Sequence, residues 1–388
     1  MLLYKNVKVR YNRLNYIGRR VSITISFEGT IVQDHKVSLF KQKNHIPLTV
    51  LCIVLWMVLS PVIGSCIMLP QVLMLLPVVL MGMLSFVGPV SAVACCAILL
   101  SLVFSLFGIW AAVCMVLLLV PTIAASVITL ERGDAFWTAA AAGCVAMFAS
   151  IGAALGLLSV LVGSDIVTAL TGIFREVLAS YGSLGDLLLT MLIQMGSVAA
   201  PEGFDAAKGV LSIDAQTRGE LISSFVLVMD SVMRLEIPMQ MATGSIAAGV
   251  FGQALLRRGV IRRGVKVEYP PLRTWRVPKG WGRVLVGTLL ALYVLSLIVP
   301  QATSTMLYVF SGIFDQVFAL QGIAAICYLF HSKGKKPRWQ TLVFLLGYTL
   351  LRSPAVMVGI FDQGFDFTHR REKLDKDENP FDPRKNLI

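Results

Sequence analysis

Long apolar runs, broken by short polar or turn-forming stretches, fill the chain from residue 47 onward. They predict nine helices: Pro47–Leu69, Val72–Gly88, Ala92–Phe107, Ile109–Leu130, Ala135–Val162, Leu221–Leu256, Val284–Pro300, Thr303–His331 and Trp339–Phe361. A span needs about 20 apolar residues to cross about 30 Å of hydrocarbon, and only Ala92–Phe107 is marginal. The early breaks, LPQ, GPV and FG, are Pro and Gly punctuation. Between the fifth and sixth runs, IVTALTGIFREVL and LGDLLLTMLIQM have helical periodicity but fall short of about 18 clean apolar residues. They predict amphipathic helices lying on a membrane face or forming a lid. The fold class is therefore all-α, a polytopic helix bundle of about nine spans, or eight if Leu351–Phe367, interrupted by Arg352 and Pro354, turns back.

Residues 1–46 differ from the rest. VSITISFEGTIV alternates as a small hairpin would. A lone two-stranded hairpin is marginal in water, so a basic, poorly ordered extension is expected. No apolar h-region with a cleavage site precedes the first span. The rest divides into a six-helix bundle at 47–256 containing the segment 163–220, a basic loop at 257–283, further membrane helices at 284–367 and a charged tail at 368–388.

Composition supports this reading. The chain is 56% hydrophobic and 14% charged, where a soluble protein carries roughly 25% charge, so lipid must cover most of its surface. The net charge of +12 then marks cytoplasmic loops and contacts with anionic headgroups, not nucleic acid. The seven cysteines all sit within apolar runs and read as small packing residues. The four scattered histidines form no metal spacing, and no cofactor is implied.

Charge also orients the chain. Residues 1–46 carry nine Lys/Arg against two acids, Arg257–Arg283 nine against one, and KGKKPR at 333–338 four against none, whereas Gly163–Glu220 carries three against seven. The positive-inside rule makes the first three cytoplasmic and the fourth external. The expected location is a bacterial cytoplasmic (inner) membrane with the N-terminus inside.

Charges within apolar runs are the candidate functional residues. In the sixth run Asp230 and Arg234 share a face at i, i+4, beside Glu236 and Pro238. They read either as a ligand gate at a kink or as an interfacial ion pair. Asp315 lies about 12 residues into the eighth run and Arg352 about 13 into the ninth, so similar depths would let them pair as a clamp or an ion path, with Gln316 and Gln321 close by. Asp362 and Asp366 would share a face at the membrane border, with Arg370 continuing it. Small residues at four-residue spacing, Gly152 and Gly156 in the fifth run and Gly244, Ala248 and Gly252 in the sixth, predict close helix packing.

Several stretches carry a likeness. LLRRGVIRRG is followed by YPPLRTWRVPKGW, then FALQGIAAI, and the last run closes with VGIFDQGFDF; the first half contributes PTIAASVITLERGD. From Leu221 to Arg371 the chain resembles the predicted bacterial membrane proteins labelled DUF2232, or YybS-like. That family is distantly similar to the S-components of energy-coupling-factor vitamin transporters. The resemblance implies an outward-facing small-molecule pocket in a six-helix bundle, with Asp230, Arg234 and Glu236 near its mouth, and a coupling ATPase module as partner. Where S-components carry Ala-x-x-x-Ala on the first helix, this chain has Ser60 and Gly64.

Two functions compete. One is small-molecule binding or transport, dependent on an external ATPase because no Walker motif is present. The other is a non-transporting scaffold acting through its basic loops, where Tyr269, Trp275 and Trp281 lie among cations and suit headgroups at the interface. No HExxH, GxGD or phosphate-binding motif supports an intramembrane enzyme. A transporter needs a polar cavity open to the outer face; a scaffold needs a filled core.

Overall fold

The structure is a computed structural model that describes residues 46–66, 70–180, 182–196, 199–200, 215–277, 279–334, 347–348 and 351–366. All of these belong to one compact unit, Lys36–Ile388. The expected hairpin near residues 21–32 and the charged tail from 368 lie outside the described residues, as does Arg370.

Among the described residues the regular structure is entirely helical. The helices are α1 Ile46–Cys66, α2 Pro70–Phe86, α3 Pro89–Phe107, α4 Ile109–Glu131, α5 Phe136–Val162, α6 Ile166–Ser180, α7 Gly182–Gln194, α8 Ala215–Arg262, α9 Lys279–Ile298, α10 Pro300–Ser332 and α11 Arg352–Phe365. A single 3-10 turn, Leu272–Thr274, interrupts the loop before α9. Long helices in α3, α4, α5, α9 and α10 are apolar enough to cross a membrane, which makes five among the described residues where nine spans were expected.

The ninth expected span is corrected. No continuous helix runs from Trp339 to Phe361, because Leu351 leaves the helical region and α11 begins only at Arg352. Pro354 explains the break. It is tolerated in the first turn of a helix, but its ring would clash with the carbonyl of residue 350 if the helix continued backward. At 14 residues, α11 is about 21 Å long, too short to cross about 30 Å of hydrocarbon. It crosses α10 closely, with Gly322 against Ala355, Gly359 against Phe318 and Gln321 bonded to Asp362. Its far end packs against Gly282 at the start of α9 through Gln363. The end of α11 therefore lies beside the start of α9 and, through Gln321, beside Val277 of the basic loop.

The sixth expected span is a 48-residue helix, α8, about 72 Å long. Pro238 lies within it and the helix continues on both sides. Its first part, from Leu221 to Val226, joins Leu178 of α6 and Leu189 and Ile193 of α7 in one apolar cluster. The amphipathic pair thereby caps the end of the bundle opposite the basic loop. The remainder of α8 packs against α2, α5 and α10.

Apolar burial drives helix association weakly in lipid, so close backbone approach and polar bonds matter more. Gly244 and Gly252 admit Met74 and Met81 of α2, and Ala248 is 1% exposed. In α5 the close packing expected at Gly152 and Gly156 is made at another glycine. Gly156 has no neighbour within 4 Å of a hypothetical Cβ, and Gly152 has only Met241 at 3.9 Å. The tight approach is Gly143 against Gly249, where a Cβ on Gly143 would lie 3.2 Å from the Gly249 Cα. The interior between α1–α5 and α8 is filled by Trp56, Leu80, Leu99, Leu119, Met147 and their neighbours. In contrast, α9 exposes Val284, Leu290, Leu297 and Ile298 along its length, as a lipid-facing helix should.

Candidate functional site

The basic end of the bundle holds two buried polar nodes. The first is built on Arg257, in the last turns of α8. Gly259, one half-turn beyond, lies so close to Ser85 of α2 that a Cβ there would collide with it. This close approach seats the end of α8 inside the bundle, and Arg257 is completely buried. Its guanidinium donates from Nη2 to the Asp134 carbonyl at 2.6 Å and from Nη1 to the Glu268 carbonyl at 2.8 Å. Its Nε faces Gln253 Oε1 at 3.5 Å, and its charge lies 5.7 Å from the centre of the Phe136 ring. Gln253, one turn earlier, donates from Nε2 to the Ser126 carbonyl at 2.9 Å and to Thr129 Oγ1 at 3.3 Å. The planar fork of arginine suits this task, because two carbonyls from different segments accept in fixed directions. The Asp134 carbonyl is delivered by the turn at Gly133, whose φ of 75° favours glycine.

The same node fixes the basic loop. Trp275 is only 4% exposed and donates its indole N–H to the Pro270 carbonyl at 2.9 Å. It stacks edge-on to Trp137 at 5.4 Å and tilts over Phe136 at 5.5 Å. Burial pushes the Tyr269 phenol above its ordinary pKa, against the smaller opposing effect of Arg258. The interfacial role expected for Trp275 is therefore corrected: it is a core residue of the loop, while Trp281 is exposed.

The second node is built on Gln321 of α10. Its Oε1 accepts from the Val277 backbone N–H at 3.1 Å, and its Nε2 donates to Asp362 Oδ2 at 3.3 Å and Gln363 Oε1 at 3.0 Å. One amide thus ties the basic loop to α10 and α11. Glycine permits this geometry. A Cβ on Gly322 would collide with the Ala355 carbonyl, and one on Gly359 with the Phe318 carbonyl. Asp362 is fully buried, whereas Asp366 caps α11 in a left-handed conformation at φ 46°, which Asp tolerates better than most residues. The two acids are one helical turn apart but differ in exposure, Asp362 being buried and Asp366 partly exposed.

At the opposite end, Arg234 donates to both oxygens of Asp230 at 2.8 and 3.1 Å and reaches Asp165 at 3.0 Å. Asp165 precedes α6 and accepts from the Thr168 amide at 3.4 Å. The group ties α8 to the α6 cap as an ion pair, and half of the Arg234 side chain is exposed. Glu236 accepts from the Tyr308 hydroxyl of α10 and from Gln240 at 3.3 Å. An exposed ion pair contributes little. Arg234→Ala should lower the melting temperature by no more than about 2 °C, an effect that high salt erases. A thermal melt of the purified protein at two salt concentrations checks this.

Asp315 and Arg352 are not joined in the way their expected pairing required. The Arg352 charge acts on Asp315, yet no ion pair joins them among the described residues, and both side chains are exposed. Sequence reasoning missed Arg257 and Gln253, although their i, i+4 spacing on one helix was visible. It also missed Asp165, Tyr308 and the Gly322–Gly359 crossing, which depend on contacts between distant segments.

The basic end also carries a groove of about 400 Å³ lined by Pro47, Leu48, Phe86, Gly259, Arg262 and Arg263. The Arg262 guanidinium lies 5.2 Å from the centre of the Phe86 ring.

The stretches that carried the likeness converge in this region. PTIAASVITLERGD supplies Ser126, Thr129 and the Asp134 carbonyl; LLRRGVIRRG supplies Arg257; YPPLRTWRVPKGW supplies Trp275 and Val277. FALQGIAAI and VGIFDQGFDF meet at Gln321–Asp362 and Gly322–Gly359. No curated protein and no solved structure matches the chain. A family model described as "Predicted membrane protein (DUF2232)" matches residues 48–363, most of the chain and every element of both nodes, and the protein belongs to that family.

Proposed function

We propose that this protein is a non-transporting scaffold of the bacterial cytoplasmic membrane, with its N-terminus and its basic end inside. In this reading the basic end holds anionic lipid headgroups and presents a rigid surface to cytosolic partners. One observation carries it: the basic loop is bolted to the bundle by the buried residues Arg257, Trp275 and Gln321, while Arg258, Arg262, Lys266 and Arg283 remain exposed around it. Fixed cations at a membrane border attract anionic lipid, each contributing about 1 kcal/mol. The groove between Phe86, Arg262 and Arg263 offers an apolar floor and a basic rim, which suits a phospholipid. The apolar filling between α1–α5 and α8 also favours a scaffold over a transporter.

Native mass spectrometry of the full-length protein, released from vesicles containing phosphatidylglycerol, tests the proposal. The wild type should retain the anionic lipid, and the variant with Arg258, Arg262, Lys266 and Arg283 all changed to Ala should lose it at least about tenfold. Cysteine labelling confirms that the variant keeps its orientation. Equal retention would overturn the proposal.

That outcome would favour the second reading, S-component-like small-molecule binding coupled to a separate ATPase module. Its specific support is the Glu236–Tyr308–Gln240 cluster beside Pro238, where two long helices exchange polar bonds near the acidic end.

A further inference from the structure

We infer that α10 forms the back of a water-filled groove open at the acidic end of the bundle, and that Asp315, at its bottom, binds a small monovalent cation.

One face of α10 is polar over its first half. Ser304, Tyr308, Ser311 and Asp315 recur at intervals of four, three and four residues, which places them along one side of the helix. From Ser304 to Asp315, near the middle of α10, this stripe runs about 16 Å. Beyond Asp315 the same side continues with Phe318, Ala319 and Gly322, all buried. The helix is long and apolar enough to span the membrane. An ionisable side chain within such a helix is costly against lipid and almost always faces protein or water. Asp315 is exposed and takes no ion pair or hydrogen bond among the described residues, so water is what remains to solvate it.

Three neighbouring helices give the stripe two walls and a floor. On one side α8 closes against α10, where Tyr308 donates to Glu236 and a Cβ on Gly312 would meet Met239 and Thr243. On the other side Leu285 and Leu289 of α9 pack against the cluster that holds Phe314 and Phe318. Toward the basic end α11 closes the space, with Ala355 against Gly322 and Gly359 against Phe318, within two turns of Asp315. Water therefore reaches Asp315 from the end where Glu236 lies.

The chemistry of the groove selects its ligand. Asp165, Asp230 and Glu236 stand near its mouth, and the neighbouring segment 163–220 carries seven acids against three Lys/Arg. A cleft lined by one sign of charge concentrates ions of the other sign. One carboxylate balances one positive charge, and no group of three or more His, Cys, Asp or Glu that could hold a metal ion occurs among the described residues, which favours a monovalent cation. Ser311 donates its hydroxyl to the Tyr308 carbonyl at 2.8 Å, which leaves its oxygen able to accept from the cation side. The charges on the surrounding helices are Glu236 of α8 and Arg352 at the start of α11; α9 has none from Val284 to Ile298. The Arg352 charge acts on Asp315 and opposes the bound cation. Because α11 closes the bottom, the groove is a binding site and not a path. The inference does not rest on lipid binding at the basic end.

Membrane vesicles of both orientations carrying the full-length protein test it, with impermeant cationic and anionic methanethiosulfonates as probes. Ser223→Cys, exposed near the start of α8, marks the acidic side, and the unmodified chain with its seven cysteines sets the background. Ser311→Cys should react from the acidic side alone, whereas Ile313→Cys, on the opposite side of α10, should stay unreactive. Adding Asp315→Asn to Ser311→Cys should cut the rate ratio of cationic to anionic reagent at least about fivefold, because the carboxylate no longer draws the cation. Replacing N-methylglucamine chloride by lithium, sodium or potassium chloride at equal ionic strength should slow the cationic reagent at Ser311→Cys, and Asp315→Asn should abolish that protection. No reaction at Ser311→Cys, reaction from the basic side, or equal reaction at Ile313→Cys overturns the groove. An unchanged rate ratio, or protection by none of the three cations, overturns the cation site. Should Ser311→Cys fail to accumulate, Ser304→Cys, two turns nearer the mouth, takes its place in every comparison.

Discussion

Arg257→Ala should destabilise the protein by roughly 3–5 kcal/mol, a range set by stripping one partner from a buried charged network. The change removes a fully buried side chain and leaves the Asp134 and Glu268 carbonyls without their donor. Each stranded carbonyl costs about 1–3 kcal/mol. The neighbouring Arg258→Ala should change little, since its side chain is exposed. Arg257→Lys should fall between, because one ammonium cannot reproduce the directed fork. A thermal melt of the detergent-purified protein measures the ranking, and trypsin reports the cause. Loss of Arg257 should expose Arg273 and Arg276 to cleavage at low protease, because the loop loses its tie to α8. A wild-type melt and cleavage pattern for Arg257→Ala would show that the loop is held without it.

Gly322→Ala and Gly359→Ala should each cost roughly 2–4 kcal/mol, unusually much for adding one methyl group. Overpacking a tight contact costs about 1–3 kcal/mol, and here the obstacle is backbone carbonyl, which cannot move aside as a side chain can. Parting α10 from α11 also stretches the bonds from Gln321 to Asp362 and Gln363, each worth about 1 kcal/mol. The double variant should cost little more than either single change, because the first methyl already opens the crossing and leaves room for the second. By contrast Gly156→Ala should be neutral, since no atom lies within 4 Å of its hypothetical Cβ. Melting temperatures of the four variants check the set. Full additivity, or neutrality at Gly322, would show that the helices do not touch there.

These two regions also show how far the chain could be read in one dimension. Helices α2 to α5 appear where apolar runs predicted them, within a few residues. Runs of that length have one stable form in lipid, which the backbone's own hydrogen bonds dictate. The amphipathic pair α6 and α7 was legible for a similar reason, since its periodicity follows from facing two media. The last run misled, because hydropathy continues across Leu351 whereas the backbone does not. Pro354 was the available signal for that break.

The candidate residues divided by range of interaction. Asp230 and Arg234, four apart on one helix, pair as helical geometry requires. Their third partner, Asp165, comes from a segment 65 residues earlier or more and left no local trace. Gln321 and Asp362 were each singled out, but in separate groups, and only the crossing of α10 and α11 joins them.

Sequence alone determined that this is a helical membrane protein, where most of its helices begin and end, and which loops are basic. Those properties follow from each segment's own exchange with lipid or water, so neighbouring residues suffice to decide them. Only the tertiary structure decided that Arg257 is interior, that Gly322 and Gly359 touch, and that the end of the final helix packs beside the basic loop. Each of those depends on which carbonyl or backbone from a distant segment arrives within about 3 Å, and no local pattern of residues encodes that meeting.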